Sequence, residues 1–333
     1  MIARVLLVLM LATVATGGGL WVDYRAFQKR SLPLPAATAT IEIPRGTSLR
    51  ALAGQMTDEG LLRHPYYFLA LAYQRGDQAR IKAGEFELTS EMTPADVLDR
   101  ITSGQVVQYP VTLVEGWTFR QAVEAIDAHD RFSGELGRLS DATLMAKLGR
   151  PGEHPEGRLF PDTYRFPRGT TRLTVLQRAF ERMEQVVADE WDGRSDDLPI
   201  RTPYEALILA SIVEKETGVA SERPEIAGVF VRRLRKGMRL QTDPTVIYGM
   251  GERYDGRIRR ADLREATPYN TYVIDGLPPT PIALPGRAAI HAVLHPGDGD
   301  SLYFVSRGDG SHFFSATLDE HNRAVRRYIL GEQ

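Results

Sequence analysis

The chain has 333 residues, of which 43% are hydrophobic and 25% charged, a composition typical of a globular protein of about two domains. The formal net charge is -2, and no long run of one sign occurs, so the electrostatic footprint of a nucleic-acid-binding protein is missing. Because the chain contains no cysteine, disulfide scaffolds, thiolate metal sites and cysteine nucleophiles are excluded.

The N-terminus carries an uncharged apolar run, Val5–Val22. Its length is enough to cross a bilayer core of roughly 30 Å. Trp21 and Tyr24 would then lie at the membrane interface, where amphipathic rings are enriched. A cleaved signal peptide is the alternative, with residues 13–15 as a weak cleavage site. We predict a transmembrane anchor over residues 1–22 and export of the bulk of the chain.

The next segments predict a linker and a small module. Prolines and small residues favour a semi-extended linker over residues 23–40. Residues 41–107 begin with a strand, helix, helix, strand pattern, and a short helix follows in which Thr93 is the cap. Residues 41–53 align without gaps on residues 111–123. Either the same strand, turn and helix motif occurs twice, or the two strand-to-helix turns are similar by chance.

The second half contains two longer predicted helices. One covers about residues 174–191. The other is capped by Thr202, has Pro203 at its first position, and continues to the carboxylates Glu214 and Glu216. We predict that this second helix is amphipathic.

Helical geometry separates these two carboxylates. Positions two apart point about 200° away from each other, so they cannot face one cleft. Leu209, Ile212, Val213 and Glu216 fall on one stripe, whereas Glu214 lies on a smaller, more mixed face. A carboxyl at the end of a buried stripe has a raised pKa, as a general acid requires. The alternative is that Glu216 is a solvated residue of the last turn.

Polar and aromatic residues follow in two loops. Asp243 before Pro244 predicts an N-cap, and residues 267–286 form a stiff proline-rich loop typical of a pre-organised site. Strands 302–306 and 312–316 predict a hairpin. The candidates for substrate binding or support are Glu214, Gln241, Thr242, Asp243, Tyr269, Asn270 and Tyr272.

The segments "SIVEKETGVASERPEIAGVFVRRLRKGMRLQTDPTVIYGMG", "GLPPTPIALPG" and "HFFSATLDEHN" carry a family resemblance, which "KAGEFEL", "LVEGWTF" and "EGRLFPDTY" extend upstream. The chain resembles the endolytic murein transglycosylase family, also called YceG-like. The resemblance implies a LysM-like module over residues 41–107 and a catalytic domain over residues 108–333 of a single-pass inner-membrane protein, with the catalytic domain in the periplasm. The short separate strands favour an α+β fold, with a mixed α/β catalytic domain.

The resemblance also implies the reaction and its catalytic residue. Members of the family cleave within nascent peptidoglycan strands and leave 1,6-anhydro-N-acetylmuramic acid ends. The second glutamate of the Glu-Lys-Glu-Thr motif, here Glu216, is the catalytic one. No cofactor and no metal are expected. The expected partners are glycan strands, the membrane and the peptidoglycan synthases in that membrane.

Two other functions stay open at this stage. A hydrolytic muramidase would use Glu216 with Asp243 as the second carboxylate. A membrane-anchored scaffold would bind glycan without cleaving it. Glu214 is expected to assist through Arg232 or Arg233, or to be structural. For Tyr269 and Tyr272, anchoring of the loop is the alternative to stacking on a sugar.

Overall fold

The computed structural model describes residues 2–331, in which twelve α-helices and three two-stranded sheets occur. The prediction of a mixed α and β fold with small separate sheets is therefore confirmed. The chain divides into two compact units. Residues up to 109 with residues 165–169 form the N-terminal unit, and residues 110–164 with those from 170 onward form the C-terminal unit.

The N-terminal unit contains four helices and two paired strands. In chain order they are α1 (Ile2–Lys29), β1 (Thr38–Ile43), α2 (Leu49–Asp58), α3 (Pro65–Arg75), β2 (Gly84–Thr89) and α4 (Pro94–Ser103). Strands β1 and β2 are antiparallel, with Ile41 opposite Phe86, and both side chains are fully buried. The apolar faces of the helices complete this core.

The first helix is longer than predicted. Arg4–Lys29 is long and apolar enough to cross a membrane, and its most apolar 18-residue window has a mean hydropathy of 2.1. The linker expected over residues 23–40 is wrong at its start, because residues 23–29 continue the helix. Phe27 and Leu32 are buried in the core of the N-terminal unit, and this burial favours an ordered path over an extended linker.

Local sequence signals explain where the next helices begin and end. At α4, Thr93 and Asp96 exchange hydrogen bonds as a capping box, and Pro94 occupies the first helical position. Gly104 then ends this helix with φ 78°, in the left-handed region that glycine adopts without strain. The predicted cap of this helix at Thr93 is confirmed.

The C-terminal unit is mainly helical. Its elements, including the strands at its borders, are β3 (Gln108–Thr112), α5 (Phe119–Asp127), α6 (Asp141–Lys147), β4 (Thr163–Pro167), α7 (Arg172–Asp192), α8 (Pro203–Glu216), α9 (Arg223–Arg235), α10 (Asp243–Met250), α11 (Arg287–Leu294), β5 (Tyr303–Ser306), β6 (His312–Ser315) and α12 (Leu318–Tyr328). The pair β5 and β6 is the predicted hairpin, in antiparallel register.

Helix α8 lies at the centre of this unit. It packs against α7, α9, α10 and α11, and all its residues from Ala206 to Val213 are buried. The prediction of an amphipathic helix is therefore wrong, because neighbouring helices cover every side of it. Thr202 caps the helix as predicted, accepting a hydrogen bond from the backbone NH of Glu205. In the first turn of α8 Pro203 is exposed and Tyr204 and Glu205 are half-buried, and the last turn carries the two glutamates.

Candidate active site

Glu216 is the last residue of α8 and lies partly buried at the wall of a cleft. The hydroxyl of Thr242 donates a hydrogen bond to its Oε1 atom. Burial raises the pKa of the Glu216 carboxyl above its usual range, and the negative charge of Asp243 adds to this effect. The bond from Thr242 and the nearby His312 lower the pKa but do not cancel the effect of burial. The arrangement favours the protonated acid, the form that can donate a proton.

The cleft has a volume of about 380 Å³. Its walls come from the ends of α8 and α9, the segment leading into α10, the proline-rich loop, the hairpin and α12. The lining residues are Glu216, Arg233, Leu240, Gln241, Asp243, Tyr272, Tyr303, Phe304, Val305, Ser306, His312, Leu318 and His321. Aromatic rings and polar groups thus converge around the Glu216 carboxyl, as in sites that bind small or extended ligands.

The segment before α10 brings three of the predicted candidates to the cleft. Thr242 occupies the N-cap position and Asp243 is the first helical residue, so the predicted N-cap at Asp243 is displaced by one residue. Gln241 has φ 51°, a conformation rare for residues with a side chain. Its NH donates to the carbonyl of Thr271 at 3.1 Å. This turn directs Thr242 toward Glu216 and leaves Asp243 exposed in the cleft.

Tyr272 joins the proline-rich loop to this segment. Its hydroxyl donates to Oδ1 of Asp243 at 2.7 Å. Burial raises the pKa of the Tyr272 phenol, and the Asp243 carboxylate raises it further. The phenol therefore stays protonated and remains a hydrogen-bond donor in the cleft.

The structure places two other candidates outside the cleft. The Tyr269 hydroxyl is 2.9 Å from the hydroxyl of Thr280, and its ring lies edge-on to that of Tyr248. Asn270 is 1% exposed, and its amide nitrogen donates to two backbone carbonyls of the preceding loop. Both residues hold the loop in shape, and neither lines the cleft.

Glu214 lies on the opposite side of α8 from Glu216, as the helical geometry requires. Its Oε2 atom accepts a hydrogen bond from the NH of Gly286 at 3.0 Å, and its Oε1 lies 4.0 Å from Arg223. Burial raises the pKa of this carboxyl too. The expected contact with Arg232 or Arg233 is wrong, because both guanidinium groups bind backbone carbonyls elsewhere.

Arg233 lines the cleft, although the sequence did not predict it as a substrate-binding residue. Its side chain is buried and donates to the carbonyls of Leu302 and Leu240, at 2.6 and 2.8 Å. The guanidinium also lies 5.0 Å from the centre of the Tyr303 ring. One cation therefore ties α9 to the hairpin and to the segment before α10.

The sequence also did not predict His312 and its partner Glu222 as site residues. His312 begins β6 and lines the cleft, and Glu222 lies in the short 3-10 turn Ala220–Glu222 that follows α8. The only signal in the sequence was the motif "HFFSATLDEHN", in which this histidine is the first residue. Its carboxylate partner is 90 residues away, and no local pattern connects the two.

A group that could hold a metal ion lies outside this cleft. Among residues 2–331, Glu190, His291 and His295 have potential ligand atoms within 4.8 Å of one another. Arg287 already contacts the Glu190 carboxylate at 2.5 Å, and Nδ1 of His291 lies 2.8 Å from it. The positive guanidinium works against a cation at this carboxylate.

Glu156, in the motif "EGRLFPDTY", is the most unusual carboxyl away from the cleft. Its side chain is buried and accepts hydrogen bonds from the NH of Phe119, at the start of α5, and from the hydroxyl of Tyr248 in α10. Burial raises the pKa of this carboxyl to about 7, although these hydrogen bonds oppose the effect. The folded protein therefore holds the proton more tightly than the unfolded chain does.

This shift predicts a pH-dependent stability. Stability from Glu156 should be fully present below its unfolded pKa of 4.5 and should be lost as the pH rises to about 7. The loss should be roughly 3 kcal/mol, at about 1.4 kcal/mol per pKa unit. Urea unfolding of wild-type protein and Glu156→Gln at pH 4.5 and pH 7.5 measures it. The free energy of unfolding should differ less between the two pH values in Glu156→Gln than in the wild type. An equal difference in both proteins would contradict the assignment.

The cleft and fold define a class of protein. A sequence model of the YceG-like family matches residues 41–327, which is most of the chain, and the chain belongs to this family. A protein of Bacillus subtilis strain 168 named endolytic murein transglycosylase is 32% identical over 309 residues, covering 88% of this chain and 85% of the relative. The family resemblance drawn from the motifs is thus confirmed.

Two further relatives agree with this membership. A protein of Streptococcus pneumoniae strain D39 with the same name is 26% identical, over 96% of this chain and 64% of the relative. The crystal structure of a protein described as YceG-like from Listeria monocytogenes has a TM-score of 0.55 and 30% identity. This comparison covers 86% of the present chain and 98% of the Listeria chain.

Proposed function

We propose that this protein is an endolytic lytic transglycosylase that cleaves the β-1,4 bond between N-acetylmuramic acid and N-acetylglucosamine within peptidoglycan strands. The observation that carries the proposal is the partly buried Glu216, whose pKa is raised by burial, at the wall of a cleft with aromatic and polar walls. The curated relatives are named endolytic murein transglycosylases, which supports peptidoglycan as the substrate.

The chemistry requires only one carboxyl. Glu216 donates its proton to the glycosidic oxygen as the bond from C1 of muramic acid to that oxygen breaks. The 6-hydroxyl oxygen of the same sugar then forms a bond to C1, and the resulting Glu216 carboxylate takes the hydroxyl proton. The products are a shortened strand and a 1,6-anhydro end. No water is consumed, and the carboxyl regains its starting form.

The other cleft residues have roles that follow from their contacts. Thr242 holds the Glu216 carboxyl in one orientation through its hydroxyl. Asp243 faces the cleft with a negative charge that stabilises positive charge developing at C1. Tyr272 holds Asp243 in place. We assign glycan binding to Gln241 as well, and loop support to Glu214, Tyr269 and Asn270.

A hydrolytic muramidase is the second candidate, because Asp243 supplies a second carboxylate in the same cleft. In that reaction, water rather than the 6-hydroxyl would attack C1. The hydrogen bond from Tyr272 favours the lytic reaction, since it occupies one oxygen of the Asp243 carboxylate that would otherwise be available to bind an attacking water.

The N-terminal helix suits a protein that acts at a membrane. We propose a single pass through the inner membrane, with the catalytic domain over residues 108–333 in the periplasm. Glycan strands are the substrate, and the peptidoglycan synthases of that membrane are natural partners for an enzyme that ends strand growth. We also propose that the strand-helix-helix-strand order of residues 41–107 is a LysM-like module.

Mass spectrometry of the cleavage products tests the proposal. Full-length protein in detergent is incubated with uncleaved glycan strands, and the new ends are weighed. Anhydro ends, one water lighter than hydrolysed ends, are expected. Hydrated reducing ends would establish the muramidase, and binding without any new ends would establish a glycan-binding scaffold.

A further inference from the structure

The end of α8 and the hairpin approach each other very closely. Gly218 lies just beyond Glu216, and a Cβ atom at this position would be 2.7 Å from the carbonyl oxygen of Gly310. Any side chain there would displace the backbone of the hairpin. The hairpin is thereby held against the segment that follows the catalytic residue, and the residue that begins β6, His312, faces the cleft.

A second contact fixes the orientation of the His312 ring. Nδ1 of His312 lies 2.8 Å from Oε2 of Glu222, and the backbone NH of His312 donates to Oε1 of the same carboxylate at 3.0 Å. The two side chains are 12% and 17% exposed. A carboxylate on Nδ1 selects the tautomer with its proton there, which leaves Nε2 free to accept a proton.

This pair stands beside the acid of the cleft. In its cationic form His312 lowers the pKa of Glu216, so the two side chains, which line the same cleft, are within electrostatic reach of each other. The other charged or titratable groups facing it are Arg233, Asp243, Tyr272, Tyr303 and His321. Among the hydrogen bonds of the described residues, neither Arg233 nor His321 pairs with a carboxylate.

We propose that His312, oriented by Glu222, is the base that receives the proton of the attacking 6-hydroxyl. This inference rests on the proposed lytic reaction and changes one step of it, since His312 replaces the Glu216 carboxylate as proton acceptor. Glu216 gives its proton to the glycosidic oxygen as the C1–oxygen bond breaks and its electron pair goes to that oxygen. The 6-hydroxyl oxygen bonds to C1, and its proton passes to Nε2 of His312.

The cycle then closes without a net gain or loss of protons. The His312 imidazolium, stabilised by the Glu222 carboxylate, returns a proton to the Glu216 carboxylate. Both groups regain the forms in which they began. The acid and the base are thus two residues, so no single carboxyl has to protonate one oxygen and then deprotonate another in the same cycle.

Chemical rescue tests the proposal on the full-length protein in detergent. His312→Ala should release anhydro ends about 100-fold more slowly, the typical contribution of a general base. Added imidazole should restore part of this rate, because a free base can enter the space left by the ring. Glu222→Gln should slow the reaction less, about 10-fold, since the ring remains but its orientation is looser.

His291→Ala is the matched control. Nδ1 of His291 also lies 2.8 Å from a glutamate oxygen, that of Glu190. Unlike His312, however, His291 lies outside the cleft, as does Glu190. Its rate should equal that of the wild type, with or without imidazole. Wild-type rates in His312→Ala would overturn the assignment. A loss that imidazole does not restore would make His312 structural and would overturn it as well. Failure of the unaltered protein to form anhydro ends would instead reject the proposed function.

Discussion

Replacing Glu216 by glutamine should reduce the release of anhydro ends by about a thousandfold or more, within the range for loss of a general acid. The amide oxygen can still accept the hydrogen bond that Thr242 donates, so the local fold should persist. The amide cannot give up a proton to the glycosidic oxygen. The rate of end formation, measured with binding of the same strands, separates lost chemistry from lost affinity.

Glu214→Gln is the natural control for this variant, because it removes the other carboxylate of the same helical turn. The amide can still accept the hydrogen bond from Gly286, and only the distant ion pair with Arg223 is lost. Activity should fall by less than tenfold. Equal rates in Glu216→Gln and wild-type protein would remove Glu216 from the mechanism.

The raised pKa of Glu216 predicts how the reaction rate depends on pH. The acid must be protonated at the start of each cycle, so the rate should fall on the alkaline side of its folded pKa, which is above the usual value of 4.5.

Replacing Arg233 by methionine should have the largest effect on stability. The guanidinium satisfies the carbonyls of Leu240 and Leu302 in a buried position. Methionine fills similar space but leaves these carbonyls without donors, at about 1–3 kcal/mol each. We expect a loss of roughly 3 kcal/mol in the free energy of unfolding, measured by urea titration, together with strongly reduced cleavage because the cleft walls separate.

Arg235→Met controls for the loss of a positive charge near the end of α9. Arg235 is 44% exposed and pairs with Asp197, which is 99% exposed, and surface pairs of this kind contribute less than about 1 kcal/mol. A similar stability loss in both variants would show that charge, rather than the buried hydrogen bonds, is responsible.

The sequence predicted the features that depend on interactions between residues close together in the chain. Caps identified the starts of α4 and α8, and the 100° step of a helix placed Glu214 and Glu216 on opposite sides. The motifs identified the family. The burial of α8 on all sides was not predictable, because the polar and charged residues of its first and last turns imitate those of an amphipathic helix. Local composition also could not reveal that Phe27 and Leu32 bury themselves in the core of the N-terminal unit.

Long-range polar contacts form the larger gap between prediction and structure. Arg233 binds the carbonyl of a residue 69 positions away, and Glu222 binds a histidine 90 positions away. Backbone carbonyls carry no residue identity, so no motif could indicate the first contact. Tyr269 and Asn270 resemble site residues by type, yet their hydrogen-bond partners lie in the loop itself or in the segment just before it.

The unbroken first helix limits how far the N-terminal unit can move from the bilayer. With Val5–Val22 across the membrane, Asp23 and Tyr24 already contact Tyr67 and Gln74, directly beyond the span. The seven helical residues that follow Val22 cover only about 10 Å at 1.5 Å each. A flexible linker of the same number of residues would let the N-terminal unit move through a wider region. The rigid helix keeps this unit in the layer next to the lipid. With the helix across a membrane, any ligand of the N-terminal unit would therefore have to lie in that layer.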